Sequence, residues 1–204
     1  MRAPSPAVLL HRLLCAIVLL ACLQIGHAAS QSPAPPAPSD ESAARTRHLD
    51  ALFAHLKTAA VEEEADAMVA EIWKLWLQSG RPEMDAAMQQ AVDFMGQGVP
   101  ALAMPVLDDI VARAPDWAEG WNKRATVLYL LGEHDRSLAD IERVLALEPR
   151  HFGALAGIGL IRIAKGEHRA ALAALRRALA VNPFLKERFG LIPALEREVG
   201  EKPL

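Results

Sequence analysis

Seven histidines, two cysteines and several carboxylate runs are where this 204-residue chain would keep its chemistry. A protein metal site gathers such side chains around one ion. His48 and His55 are seven residues apart, about 10 Å along a helix, too far to share an ion. His134 and His168 each follow a Gly-Glu pair; if they occupy equivalent places in adjacent helical units, packing separates them by roughly 10 Å. Cys15 and Cys22 both lie in an apolar N-terminal run. Glu62-Glu63-Glu64 suits a helix N-terminus, where carboxylates complement the dipole. Asp108-Asp109 comes with no sign of the cleft and second acid that glycoside chemistry needs. The chain contains no nucleophile elbow and no phosphate-binding glycine loop. The reading is no catalytic residue, no metal and no cofactor. Four tryptophans remain: Trp73, Trp76, Trp117 and Trp121. Trp73 and Trp76, three apart, share one helical face; core packing is expected, an exposed interface hot spot being the alternative.

The elements around these residues announce themselves by period. Gly98, Gly132 and Gly166 are 34 residues apart, and Pro115, Pro149 and Pro183 follow them by 17. Periodicity of this kind marks repeated supersecondary units. The units run 84–117, 118–151 and 152–185, each predicting two antiparallel helices. The glycine falls at the turn, where left-handed backbone favours it. The proline stops the second helix. Small residues recur in register where helices approach (Ala91, Ala125, Gly159), and larger apolar ones where they fill the gap (Ile110, Val144 and Leu107, Ile141, Leu175). Apolar residues make up 52% of the chain, with no long alternating Val, Ile and Thr run that would suggest a sheet. One helical hairpin cannot bury its apolar face alone, so the units must stack.

Ahead of the units, residues 1–28 read as a secretory signal. Arg2, His11 and Arg12 flank the 11-residue apolar run Leu13–Leu23, and Gly26-His27-Ala28 offers a cleavage site. Leu19-Leu20-Ala21-Cys22 resembles a bacterial lipobox, leaving lipid anchoring on Cys22, and after it an uncleaved anchor, as alternatives to soluble export into the periplasm. Cleavage after Ala28 would remove both cysteines and take the 22 basic residues to 20, against 25 acidic ones. That excess of acid speaks against nucleic acid. Residues 29–45, rich in Pro, Ala and Ser, read as an extended linker. Residues 46–83 predict a helical hairpin, a degenerate extra repeat whose second helix spans Glu62 to Leu77. Residues 186–204 predict a cap and tail, with Leu185 and Phe189 covering the third unit and with breaks at Gly190 and Pro193.

Trp121, Gly132, Leu145 and Pro149, and again Gly159, Gly166, Ala171, Ala178 and Pro183, stand where the tetratricopeptide repeat family has its pattern residues, and the chain resembles that family. The resemblance implies an all-α, right-handed superhelical solenoid that acts as a protein-interaction module. Ser137, Arg162 and Pro105 depart from the pattern, and Pro105 should bend the second helix of the first unit. The resemblance further implies which residues line the concave face: Met88, Val92 and Met95; Asn122, Thr126 and Tyr129; Ala156, Leu160 and Ile163. The carboxylate clamp by which some members grip chaperone tails is missing, because Met88, Val92, Ala156 and Leu160 occupy its slots. The expected function is a non-catalytic adaptor of the bacterial cell envelope holding a partner's peptide or helix in this groove, unless the chain's own N-terminal helices fill it. A self-assembling or tethering envelope component is the alternative, and an enzyme a distant third.

Overall fold

The computed structural model describes residues 40–200; the expected signal, residues 29–39 of the expected linker and the tail from 201 lie outside them. Among the described residues there are nine α-helices and no strand: α1 (Asp40–Leu56), α2 (Glu62–Trp76), α3 (Pro82–Gly96), α4 (Pro100–Arg113), α5 (Ala118–Leu130), α6 (His134–Leu147), α7 (Phe152–Ala164), α8 (His168–Val181) and α9 (Leu191–Val199). The three units are the hairpins α3–α4, α5–α6 and α7–α8, an all-α solenoid as the period predicts.

Gly98, Gly132 and Gly166 adopt φ of 75°, 80° and 73°. Each turn closes the same way. The residue after the glycine donates its N–H five residues back, Val99 to the Phe94 carbonyl, Glu133 to Leu128 and Glu167 to Arg162, at 2.8–3.0 Å. This pairing satisfies carbonyls that a helix end would leave open. The second helices end at Arg113, Leu147 and Val181, two residues before each proline. Pro105 does not break α4, which runs on through it with the proline exposed.

Close approach explains the small residues. A Cβ on Gly159 would lie 2.6 Å from Leu175 Cγ, and one on Gly120 would lie 2.8 Å from Ile110 Cγ2. Arg124 adds a polar clamp between units. It forks onto Asp140 at 2.8 Å and reaches Asp108 at 2.9 Å, joining α4, α5 and α6.

The N-terminal hairpin departs from expectation twice. Helix α1 begins at Asp40, inside the stretch read as linker. Ala43, Ala44 and Arg45 are good helix formers, and the Arg45 guanidinium donates to the carbonyls of Leu75 and Gln78 at the end of α2. Nor does the hairpin stack as an extra repeat. Its Leu49, Phe53, Leu56, Ile72 and Trp76 share one core with Phe152, Leu155 and Leu175 of the third unit and with Ile192 and Leu195 of α9. The first unit keeps a separate core around Met84, Met88, Leu107 and Ile110. Arg150 bonds Asp50 at 2.7 Å and lies over the Phe53 ring, pinning α1 to the junction of the second and third units.

Helix α3 is therefore the end of the solenoid, and its composition fits. Val127 and Ile161 are buried, whereas Asp93, at the equivalent place in α3, is exposed, as is Gln90. A polar outer face is what a terminal repeat requires. At the other end Leu185, Ile192 and Leu195 are buried. Phe189, expected to help cover the third unit, is instead 70% exposed. The 3-10 turn Lys186–Arg188 directs it outward, where Arg188 lies over its ring. Gly190 precedes α9 and breaks the chain as expected. Pro193 does not, because it sits in the first turn of α9, where no amide donor is required.

Candidate functional site

On the inner side of the second and third units lies a pocket of about 430 Å³. Its floor is Asn122, Thr126 and Tyr129 from α5 and Gly153, Ala156, Gly157 and Leu160 from α7. Asp66, Val69 and Trp73 of α2 form one wall, and residues 184–187 another. The α2 residues recur at i, i+3 and i+7, so they share one helical face. The chain's own hairpin thus narrows the groove without filling it.

Of the residues expected on the concave face, Asn122, Thr126, Tyr129, Ala156 and Leu160 come together in this pocket. Met88 does not. It is 2% exposed and belongs to the core of the first unit. Val92 and Met95 pack half-buried on that same core, and Ile163 packs against the other. The inward register is common to all three units. What lies over each slot is not: Leu77, at the exit of α2, packs on the same core as Val92, which is half-buried, whereas Thr126 and Leu160, in the slot of Val92, stay exposed.

Trp73 is the wedge that holds the α2 wall. A Cβ on Gly153 would lie 2.7 Å from its Cη2, so only glycine admits the indole. Trp73 meets Trp76, His151 and Phe152 edge-on at centroid separations of 5.3–5.4 Å. The Trp117 indole N–H donates to the Trp76 carbonyl at 2.8 Å, and that of Trp121 to Pro115 at 3.1 Å. Trp76 is buried in the core as expected, whereas Trp73 is only partly buried and also lines the pocket.

Beside this wall lies a buried polar cluster that sequence reasoning missed. His151 stacks on Trp76 at 4.1 Å. Its Nδ1 accepts the Ala154 N–H at 3.1 Å, so its proton sits on Nε2 and is donated to Glu119 Oε2 at 3.0 Å. Glu119 also accepts from the Asn122 amide at 3.0 Å and pairs with Lys123 at 2.9 Å. Glu119 and His151 are both fully buried. Burial alone would raise the Glu119 carboxyl, but the His151 bond and the Lys123 charge outweigh it and hold the group below its ordinary range. Asn122 joins this cluster to the pocket floor. A signal for His151 exists in the repeat register: it shares a column with Trp117 and Leu185, so a histidine fills a slot that is otherwise apolar.

Among the described residues, no three His, Cys, Asp or Glu side chains stand close enough to hold a metal ion. His134 packs on Tyr129, and His168 Nδ1 lies 2.7 Å from Glu198.

Known proteins share this architecture. The family model described as "Tetratricopeptide repeat" matches residues 152–184. A TPR repeat-containing protein of Rhizobium etli is 37% identical over 142 residues, which is 70% of each chain. Among solved structures, the first TPR of Spaghetti (RPAP3) bound to an HSP90 peptide superposes with a TM-score of 0.54 at 16% identity, covering 58% of this chain and 94% of that one. The TPR2B domain of yeast Sti1 in complex with an Hsp70 peptide gives 0.52 at 20%, covering 59% and 98%. MamA gives 0.54 at 18%, covering 72% and 84%. These structures share the fold, the Rhizobium protein shares sequence over most of both chains, and the glycine turns and proline stops are in register three times over: the chain belongs to the tetratricopeptide repeat family.

Proposed function

We propose that this protein is a non-catalytic adaptor that holds a segment of a partner protein in the pocket between repeats 2 and 3. The observation that carries the reading is an apolar pocket on the concave face with Leu160 and Thr126 exposed at it. A preformed surface of this kind binds with little ordering cost. The peptide complexes of Spaghetti and Sti1 support the class of ligand. The missing carboxylate clamp argues that the ligand here is not an acidic chaperone tail. We further propose that the adaptor works after export into the bacterial envelope, on the evidence of the N-terminal 28 residues. N-terminal sequencing of the cellular protein tests this: a first residue of Ala29, or palmitate on Cys22, supports export, and a chain starting at Met1 opposes it.

A photo-crosslinking residue at Leu160 in living cells tests the site. A discrete adduct with one partner, absent when the same group stands at Ala139 on the outer face, is the expected result. Adducts at 139 but not at 160 would move the interaction elsewhere.

A further inference from the structure

The pocket also constrains the shape of its occupant, given the docking role just proposed. An apolar cavity of ~150 Å³ holds a benzene molecule. At about 430 Å³, this one has room for two such groups while its mouth stays open. Four of the polar side chains around it are already engaged. The Asn122 amide donates to Glu119, the Thr126 hydroxyl to the Asn122 carbonyl and the Ser137 hydroxyl to the Ala125 carbonyl, while Asn182 accepts from the Phe184 N–H. The α2, α5 and α7 surfaces are helical, so most of their backbone groups are bonded internally. An extended segment pressed into such a pocket would bury N–H and C=O groups without partners. A helix satisfies its own backbone and offers side chains one turn apart on one face. At the mouth, Asp66 and Glu187 form no ion pair among the described residues, against one base, Lys186.

We propose that the occupant is an amphipathic helix of a partner protein, presenting two large apolar side chains one turn apart with a lysine or arginine beside them. The probe is a fluorescein-labelled Ala/Lys host helix carrying two phenylalanines at i and i+4. It is compared with the same peptide carrying them at i and i+2, and with one broken by a central proline. Fluorescence anisotropy with the full-length chain reads affinity. The i, i+4 peptide should bind at least about tenfold tighter than either control, the scale of one interface anchor. Leu160→Glu should abolish binding. Asp66→Asn with Glu187→Gln, two substitutions near the mouth, should weaken it severalfold. Equal affinity for all three peptides, with Leu160→Glu still blocking them, would overturn the helix and leave the pocket standing. Binding indifferent to Leu160→Glu, or none at all, would also overturn the helix, and the crosslink at residue 160 then decides the docking reading by itself.

Discussion

Repeat 1 and repeat 3 have the same length, turn and stop, yet their first helices meet different neighbours. Helix α7 lies beneath the N-terminal hairpin, admits Trp73 at Gly153 and floors a pocket with Ala156, Gly157 and Leu160. Helix α3 has Met88 buried in its own core and turns Gln90 and Asp93 to solvent. The slot of Met88 is core in repeat 1 and pocket floor, as Asn122 and Ala156, in repeats 2 and 3, while the slot of Asp93 is solvent-facing only at the end of the stack. In a solenoid, each unit's surface is defined by what it is stacked against.

The largest test of this contrast exchanges the slot shared by Asp93 and Ile161. Ile161→Asp buries an unpaired carboxylate and should cost about 3–5 kcal/mol; Asp93→Val should stay within about 0.5 kcal/mol. Urea unfolding of the two variants measures both, and equal costs would mean that α3 is not an end. Next, Gly153→Ala places a methyl against Trp73 and should cost about 1–3 kcal/mol through overpacking. Hydrogen exchange should show the loss first in α2. Third comes the polar cluster, which repeat 1 lacks. Because folding lowers the Glu119 carboxyl from its ordinary 4.5, its contribution is whole above that pH and is lost as pH falls through the lower, folded value. Replacing the carboxylate by Glu119→Gln should cost about 1–3 kcal/mol at pH 7 and should flatten the acid limb of a stability-versus-pH curve. The smallest effect on stability belongs to Leu160→Glu, within about 0.5 kcal/mol at an exposed site. Thermal melting should barely register it, although partner capture disappears. Val92→Glu, at the matching slot of repeat 1, should leave capture intact.

Gly98, Gly132 and Gly166 with their prolines made the repeats, the helix pairs and the inward register legible from sequence, because each acts on backbone only a few residues away. The destination of the hairpin was not legible. It depends on Trp73 and Trp76 meeting Phe152 and His151 from far along the chain, and no local spacing encodes that. Errors at the site follow from it: Met88 lies in a core, and the pocket wall of Asp66 and Val69 went unforeseen. The Glu119–His151 pair escaped for another reason. Each is a single residue without periodicity, visible only as an odd member of its register column.

Arg150 and Asp50 are 100 residues apart and in direct contact. Linear arrays usually melt unit by unit, since each module interacts with its neighbours alone. Here the hairpin α1–α2 is fastened across the third repeat and its cap, which turns an open array toward a closed one. Cooperativity should rise accordingly: hairpin, repeat 3 and cap should lose structure in a single transition. Refolding should be slower than for an unclosed three-repeat array, because that long-range closure must be found before its contacts reward it.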